Sequence, residues 1–160
     1  MRLLGLIVAS ALVWPASAGA EINWLLSKKY GRGYLQGMPN ESEVDLEFWA
    51  HCRADGRIDV GMAAEANVGK GKGEAVTLTL TSAGQSTRVS GVSRRSENFE
   101  MTSGVELRAT VSRDDKLFAV LSTGKPVAVT GRIEALEWDV KGLKPKVATL
   151  IAGCGKTKKR

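Results

Sequence analysis

The chain has 160 residues, with 23 Lys and Arg against 17 Asp and Glu, one histidine and two cysteines. Hydrophobic residues make up 43% of it, enough for one core, and a single domain is expected at this length. One imidazole and two distant thiols do not make a metal-ligand set, so no metal and no cofactor are expected.

The first twenty residues read as a leader. Arg2 supplies a positive start, Leu3 to Val13 is apolar apart from Gly5 and Ser10, and small residues end in Ala18-Gly19-Ala20. This is the pattern of a signal peptide cleaved after Ala20. A membrane span needs roughly 20 apolar residues, and this run is too short. The residue directly after Ala20 is Glu21 rather than cysteine, which speaks against a lipoprotein, and no later run is apolar enough to be a transmembrane segment. A periplasmic or secreted protein is expected, with residues 21–155 as one β-rich domain.

The net charge of +6 is unevenly placed. Without Arg2, 22 basic residues face 17 acidic ones, and four of the 22 sit in residues 156–160 as Lys156, Lys158, Lys159 and Arg160. The remainder is close to neutral. A nucleic-acid-binding domain is basic over its folded face, so none is expected here. The basic tail reads as a solvated segment, with weak, salt-sensitive contact to an anionic surface as its alternative.

Glu21 to Leu26 reads as a first strand and Gly31 to Gly37 as a second. Gly37 to Ser42 is a turn cluster that includes the sequon Asn40-Glu41-Ser42. Val44 to Cys52 then alternates strictly. Val44, Leu46, Phe48, Ala50 and Cys52 share one face; Asp45, Glu47, Trp49 and His51 share the other. That is a half-buried strand. Asp55-Gly56 is a strong hairpin signal, leading into a strand over Arg57 to Ala63.

Asn67 to Gly73 is loop-like by composition. Its glycines and lysines invite a phosphate-cradle reading, but Lys72 is followed by Gly73 rather than Ser or Thr, and a strand follows. A solvated hairpin loop fits better. Ala75 to Thr81 and Val105 to Val111 alternate cleanly, Thr87 to Val92 is a weaker strand, and Ser93 to Ser96 reads as a loop tip.

The period then changes. Asp114-Asp115 caps a short helix through Leu121 that Gly124 stops, and Pro126 to Thr130 is a short strand. Ile133 to Val140 carries no decisive pattern. Leu143, Val147, Leu150, Ile151 and Cys154 lie on one face of a closing helix, with Pro145 in its first turn. The expected fold is mainly β, an antiparallel sandwich or meander with two short helices, the last at the C-terminal end. Two cysteines in an exported domain favour a disulfide, closing a loop of about 100 residues; two buried thiols are the alternative.

The order of landmarks resembles a group of small exported proteobacterial proteins of uncharacterised function. Tyr34-Leu35, Gly37, Pro39, Ser42, Leu46, Phe48, Cys52 and Gly56 carry the first half of that resemblance; Asp114 to Phe118 and a last helix ending on Cys154 carry the second. It implies a compact β-rich domain with a Cys52–Cys154 link, and it implies no activity.

His51 is the only candidate imidazole base. Asp45 and Glu47 lie on its strand face, but no serine sits in a nucleophile-elbow motif. Asp45, Glu47, Trp49 and His51 therefore form a candidate contact surface, with no catalytic residue assigned. Two functions are open: a non-catalytic exported binding module of the cell envelope, or an envelope hydrolase using His51 with an outer-face carboxylate. Lysozyme inhibitors of the bacterial envelope are similar to this chain in size and architecture alone.

Overall fold

The computed structural model describes residues 21–40, 46–62, 68–97, 99–131 and 135–155. The leader, Val44, Asp45, Ile133 and the basic tail lie outside the described residues.

The chain is built on one nine-stranded antiparallel sheet. Strands β1 (Ile22–Lys29), β2 (Arg32–Pro39), β3 (Phe48–Cys52) and β4 (Ile58–Met62) form a meander. The chain then passes two strand positions to make β5 (Lys72–Ser82) and β6 (Gln85–Arg95). It returns through a four-residue helix, α1 (Phe99–Thr102), to β7 (Val105–Val111), which pairs with β4. Helix α2 (Lys116–Leu121) leads to β8 (Val127–Thr130), which pairs with the far side of β5, and β9 (Ala135–Trp138) follows. The final element is α3 (Leu143–Cys154).

The sheet curls toward closure. Trp24 of β1 donates from Nε1 to the carbonyl of Asp139, just beyond β9, at 2.7 Å, and its ring lies 6.4 Å from that of Trp138. Phe48 completes an edge-to-face trio, 5.8 Å from Trp24 and 5.9 Å from Trp138. Gly37, the cross-strand partner of Trp24, makes room for this: a Cβ there would meet the indole at 2.6 Å.

Alternation explains which face is buried. Phe48, Ala50, Cys52, Ile58, Val60, Met62, Leu78, Leu80 and Leu107 all point inward and are fully buried. Helices α2 and α3 fill the concavity, α2 against β5 and β6, and α3 against β1, β2 and β3. Asp115 caps α2 by accepting from the backbone N–H of Leu117 at 2.8 Å. Leu143, Val147 and Leu150 of α3 are buried, each worth roughly 1.5–3 kcal/mol relative to exposure. The same face delivers Cys154 to Cys52, and the two form a disulfide with 5.2 Å between their Cα atoms.

The mainly β, antiparallel architecture and the closing helix match the sequence reading. Several boundaries differ. Strand β2 runs through Pro39, beyond the Gly37 start of the turn cluster that composition predicts, because Gly37, Met38 and Pro39 still pair with β1. Strand β6 continues through Arg95 rather than ending in a loop at Ser93. Ser93 is fully buried and accepts from the backbone N–H of Gly71 at 2.9 Å, while Arg94 and Arg95 pair with β7. Ala135–Trp138, within the undecided stretch, is strand. Helix α1 is a short addition that no sequence period announced.

The Gly-Lys segment is not an open anion cradle. Glu74 fills it, accepting from the backbone N–H groups of Lys70 at 3.2 Å and Lys72 at 2.8 Å. Its carboxyl is held below the usual carboxylate range by these backbone N–H groups, its own first among them. The nest carries its own anion.

Candidate functional site

The convex face of β1, β2, β3, β4 and β7 holds the chemistry-bearing residues. Cross-strand register lays them out in two rows. One runs Leu25, Gln36, Trp49, Gly61, Arg108; the next runs Ser27, Tyr34, His51, Asp59, Thr110.

Trp49 is half-buried and committed to the protein. Its indole lies across Gly61, where any Cβ would overlap Nε1. From there Nε1 donates to Oε2 of Glu106 on β7 at 2.9 Å. Glu106 is buried, and Arg108 donates from Nε to its Oε1 at 2.5 Å. Both carboxylate oxygens are thus engaged, which a buried charge requires. The Arg108 guanidinium also sits 5.7 Å from the Trp49 ring centroid.

His51 belongs to a second cluster at the β1–β2 hairpin. Its ring is edge-on to Tyr30 at 6.3 Å and to Tyr34 at 6.0 Å. Its Nε2 lies 3.2 Å from the backbone carbonyl of Lys29, a contact in which Nε2–H is the donor. Tyr34 is buried, and Lys29 lies 5.0 Å over its ring while pairing with Glu97 at 3.2 Å. Burial, followed by the charges of Glu97 and Glu106, pushes the Tyr34 phenol up to about 12.

Tyr30 differs from its neighbours. It sits at the hairpin apex with φ of 52°, a left-handed conformation that an aromatic residue rarely adopts, and Gly31 follows at 74°. Its side chain is 84% exposed.

Beside His51 opens a shallow cleft of about 400 Å³, lined by Arg32, His51, Arg53, Ala54, Asp55 and Asp59. Arg53 donates from Nη1 to both oxygens of Asp59 at 3.3 Å and from Nε to Asp55 at 3.4 Å. Asp59 also accepts from the Thr110 hydroxyl at 2.6 Å. Asp55 accepts from the backbone N–H, Nε and Nη2 of Arg57. Those Arg57 hydrogen bonds bring the Asp55 carboxyl down to about 2. Among the described residues, no serine, threonine or cysteine lines this cleft.

The four residues expected to share a surface are thus divided. Asp45 lies outside the described residues. Glu47 precedes β3 and is half-buried, Trp49 reaches toward β7, and His51 turns toward the hairpin. The sequence assigns no role to Tyr30, Arg32, Arg53, Glu106 or Arg108, and Tyr34 enters only as a landmark of the resemblance. One signal was present: Glu106 and Arg108 alternate on the outer face of β7, an acid and a base two residues apart. Tyr34 gave none, because it and Leu35 are both buried on opposite faces of β2.

Among the described residues, no three His, Cys, Asp or Glu side chains are grouped to hold a metal ion, and no helix is long and apolar enough to cross a membrane. No protein-family model matches this sequence, and no curated protein or solved structure matches it either.

Proposed function

We propose that the protein is an exported, non-catalytic binding module of the cell envelope, and that the convex face around His51 is its contact surface. Export is supported by the leader-like pattern of residues 1–20 and by a disulfide typical of oxidising compartments.

One observation carries the binding reading. Among the described residues the cleft beside His51 is lined by charged groups and by no serine, threonine or cysteine, and the exposed Tyr30 packs against His51 next to it. A histidine base needs a nucleophile or a positioned water together with a carboxylate that orients it. Here Nε2 is directed at the Lys29 carbonyl, and the two cleft carboxylates are held by Arg53, Arg57 and Thr110. Exposed tyrosine and arginine are the residue types that anchor partners.

Capture from native envelope extract tests this, with the wild-type protein and Tyr30→Ser compared side by side. The expected result is a partner retained by the wild type and lost with Tyr30→Ser. Equal retention by both removes Tyr30 from the surface. Hydrolysis of an envelope substrate that His51→Ala abolishes would replace the binding reading with the hydrolase one.

A further inference from the structure

The charge balance of the cleft beside His51 identifies what it would take. Its two carboxylates are already paired, Asp55 partly by Arg57 from outside the lining. Asp59 accepts from Arg53 and Thr110; Asp55 accepts from Arg53 and Arg57. Arg53 and Arg57 are thereby occupied. Arg32 is not: it is exposed, lines the cleft, and has no carboxylate partner among the described residues. Its cross-strand neighbour Lys29 is a second cation, already paired with Glu97. The lining itself balances, Arg32 and Arg53 against Asp55 and Asp59; with Arg57, which hydrogen-bonds Asp55 from outside the lining, the group carries one unmatched positive charge, and Arg32 is the cation left without a carboxylate.

We infer that this cleft binds an oxyanion group, carboxylate or phosphate, with Arg32 as its principal cation and His51 beside it. The guanidinium fork matches either group with two parallel N–H donors. Tyr30, whose ring packs edge-on to His51, stands exposed next to the cleft and offers an apolar face to whatever carries the anion. The Glu74 nest shows the contrasting case, a site for an anion that the chain itself fills. This assignment rests on the reading of the His51 face as a binding surface and names its ligand chemistry.

The single histidine gives an unambiguous reporter. Untagged full-length protein, labelled at the imidazole, is titrated at constant pH with sodium phosphate, with sodium acetate and with sodium chloride at matched ionic strength. The His51 resonance is expected to shift saturably with phosphate or acetate, and the stronger of the two identifies the oxyanion. In Arg32→Gln, an exposed substitution, affinity should fall about tenfold or more, the scale of one charge-assisted hydrogen bond. A response that follows ionic strength and is equal for chloride overturns the assignment, as does an unchanged affinity in Arg32→Gln. The envelope capture reads a different quantity. Saturable phosphate or acetate binding with no captured partner would leave the cleft assignment standing and count against the macromolecular partner alone.

Discussion

Trp49 and Gly61 are Cα partners on adjacent strands, and the indole of the first occupies the space a side chain on the second would need. The glycine is thus what lets Trp49 lie flat and reach Glu106 one strand further on. Gly61→Ala should displace the indole and weaken its hydrogen bond to the buried carboxylate. The expected cost is roughly 1–3 kcal/mol, the scale of overpacking. Trp49→Phe keeps a ring over the glycine but leaves one Glu106 oxygen without its donor, a loss of about 1–3 kcal/mol. Urea unfolding of both variants checks this; midpoints equal to wild type would show that the stack contributes nothing.

That pairing also marks where sequence reading stops. The alternation of Val105–Val111 and of Ala75–Thr81 shows which residues turn inward, because each strand's own period of two records it. The phase of α3 likewise places Cys154 on the buried face. Strand order leaves no such local trace. That β7 lies beside β4, bringing Glu106 within reach of Trp49, follows from long-range pairing across more than forty residues. In sequence an outward-facing Trp49 reads either as an exposed anchor or, preferentially, as a ring covered by another element, and the fold spends it on Gly61 and Glu106. His51 keeps its place on the outer face, but its companions Tyr30 and Arg32 come from a hairpin that sequence alone does not align with it.

The Cys52–Cys154 bond joins β3 to the last turn of α3 across 102 residues. It ties the closing helix to the first half of the sheet. Loop-closure entropy for such a span favours the native state by an upper limit of about 4.7 kcal/mol, and measured losses run about 2–5 kcal/mol. The paired Cys52→Ser and Cys154→Ser variant should lose stability in that range in denaturant unfolding. Intact mass of the oxidised protein should be two hydrogens lighter than that of the reduced form. Two free thiols in protein taken from an oxidising compartment would contradict the bond.

Asp55 closes the β3–β4 hairpin by accepting three hydrogen bonds from Arg57, and these bring its carboxyl to about 2 from 3.8. A depressed carboxylate contributes to stability above its unfolded value. That contribution is lost as pH falls from about 4 through about 2. NMR titration of the Asp55 carboxyl carbon should place its midpoint near 2, and Arg57→Gln should move it upward. A midpoint near 4 in the wild type would mean that the Arg57 hydrogen bonds do not persist in solution.

Tyr34 answers to the opposite end of the pH scale. Burial under Lys29 and His51, with Glu97 and Glu106 near enough to repel a phenolate, raises its value from 10.0 to about 12. The neutral phenol is the form the fold stabilises. Its contribution is therefore intact below pH 10 and is lost as pH rises through about 12. In Tyr30→Phe only Tyr34 remains to ionise, since the chain has two tyrosines. Phenolate absorbance in that variant should appear near pH 12, together with loss of the β-sheet circular dichroism. Half-ionisation at pH 10 with the sheet signal unchanged would show that Tyr34 is open to solvent, and that the aromatic cluster beside His51 does not form as described. Glu97→Gln gives the finer test. It removes a repelling carboxylate while leaving the ring buried, so the midpoint should fall below that of the parent variant and stay above 10.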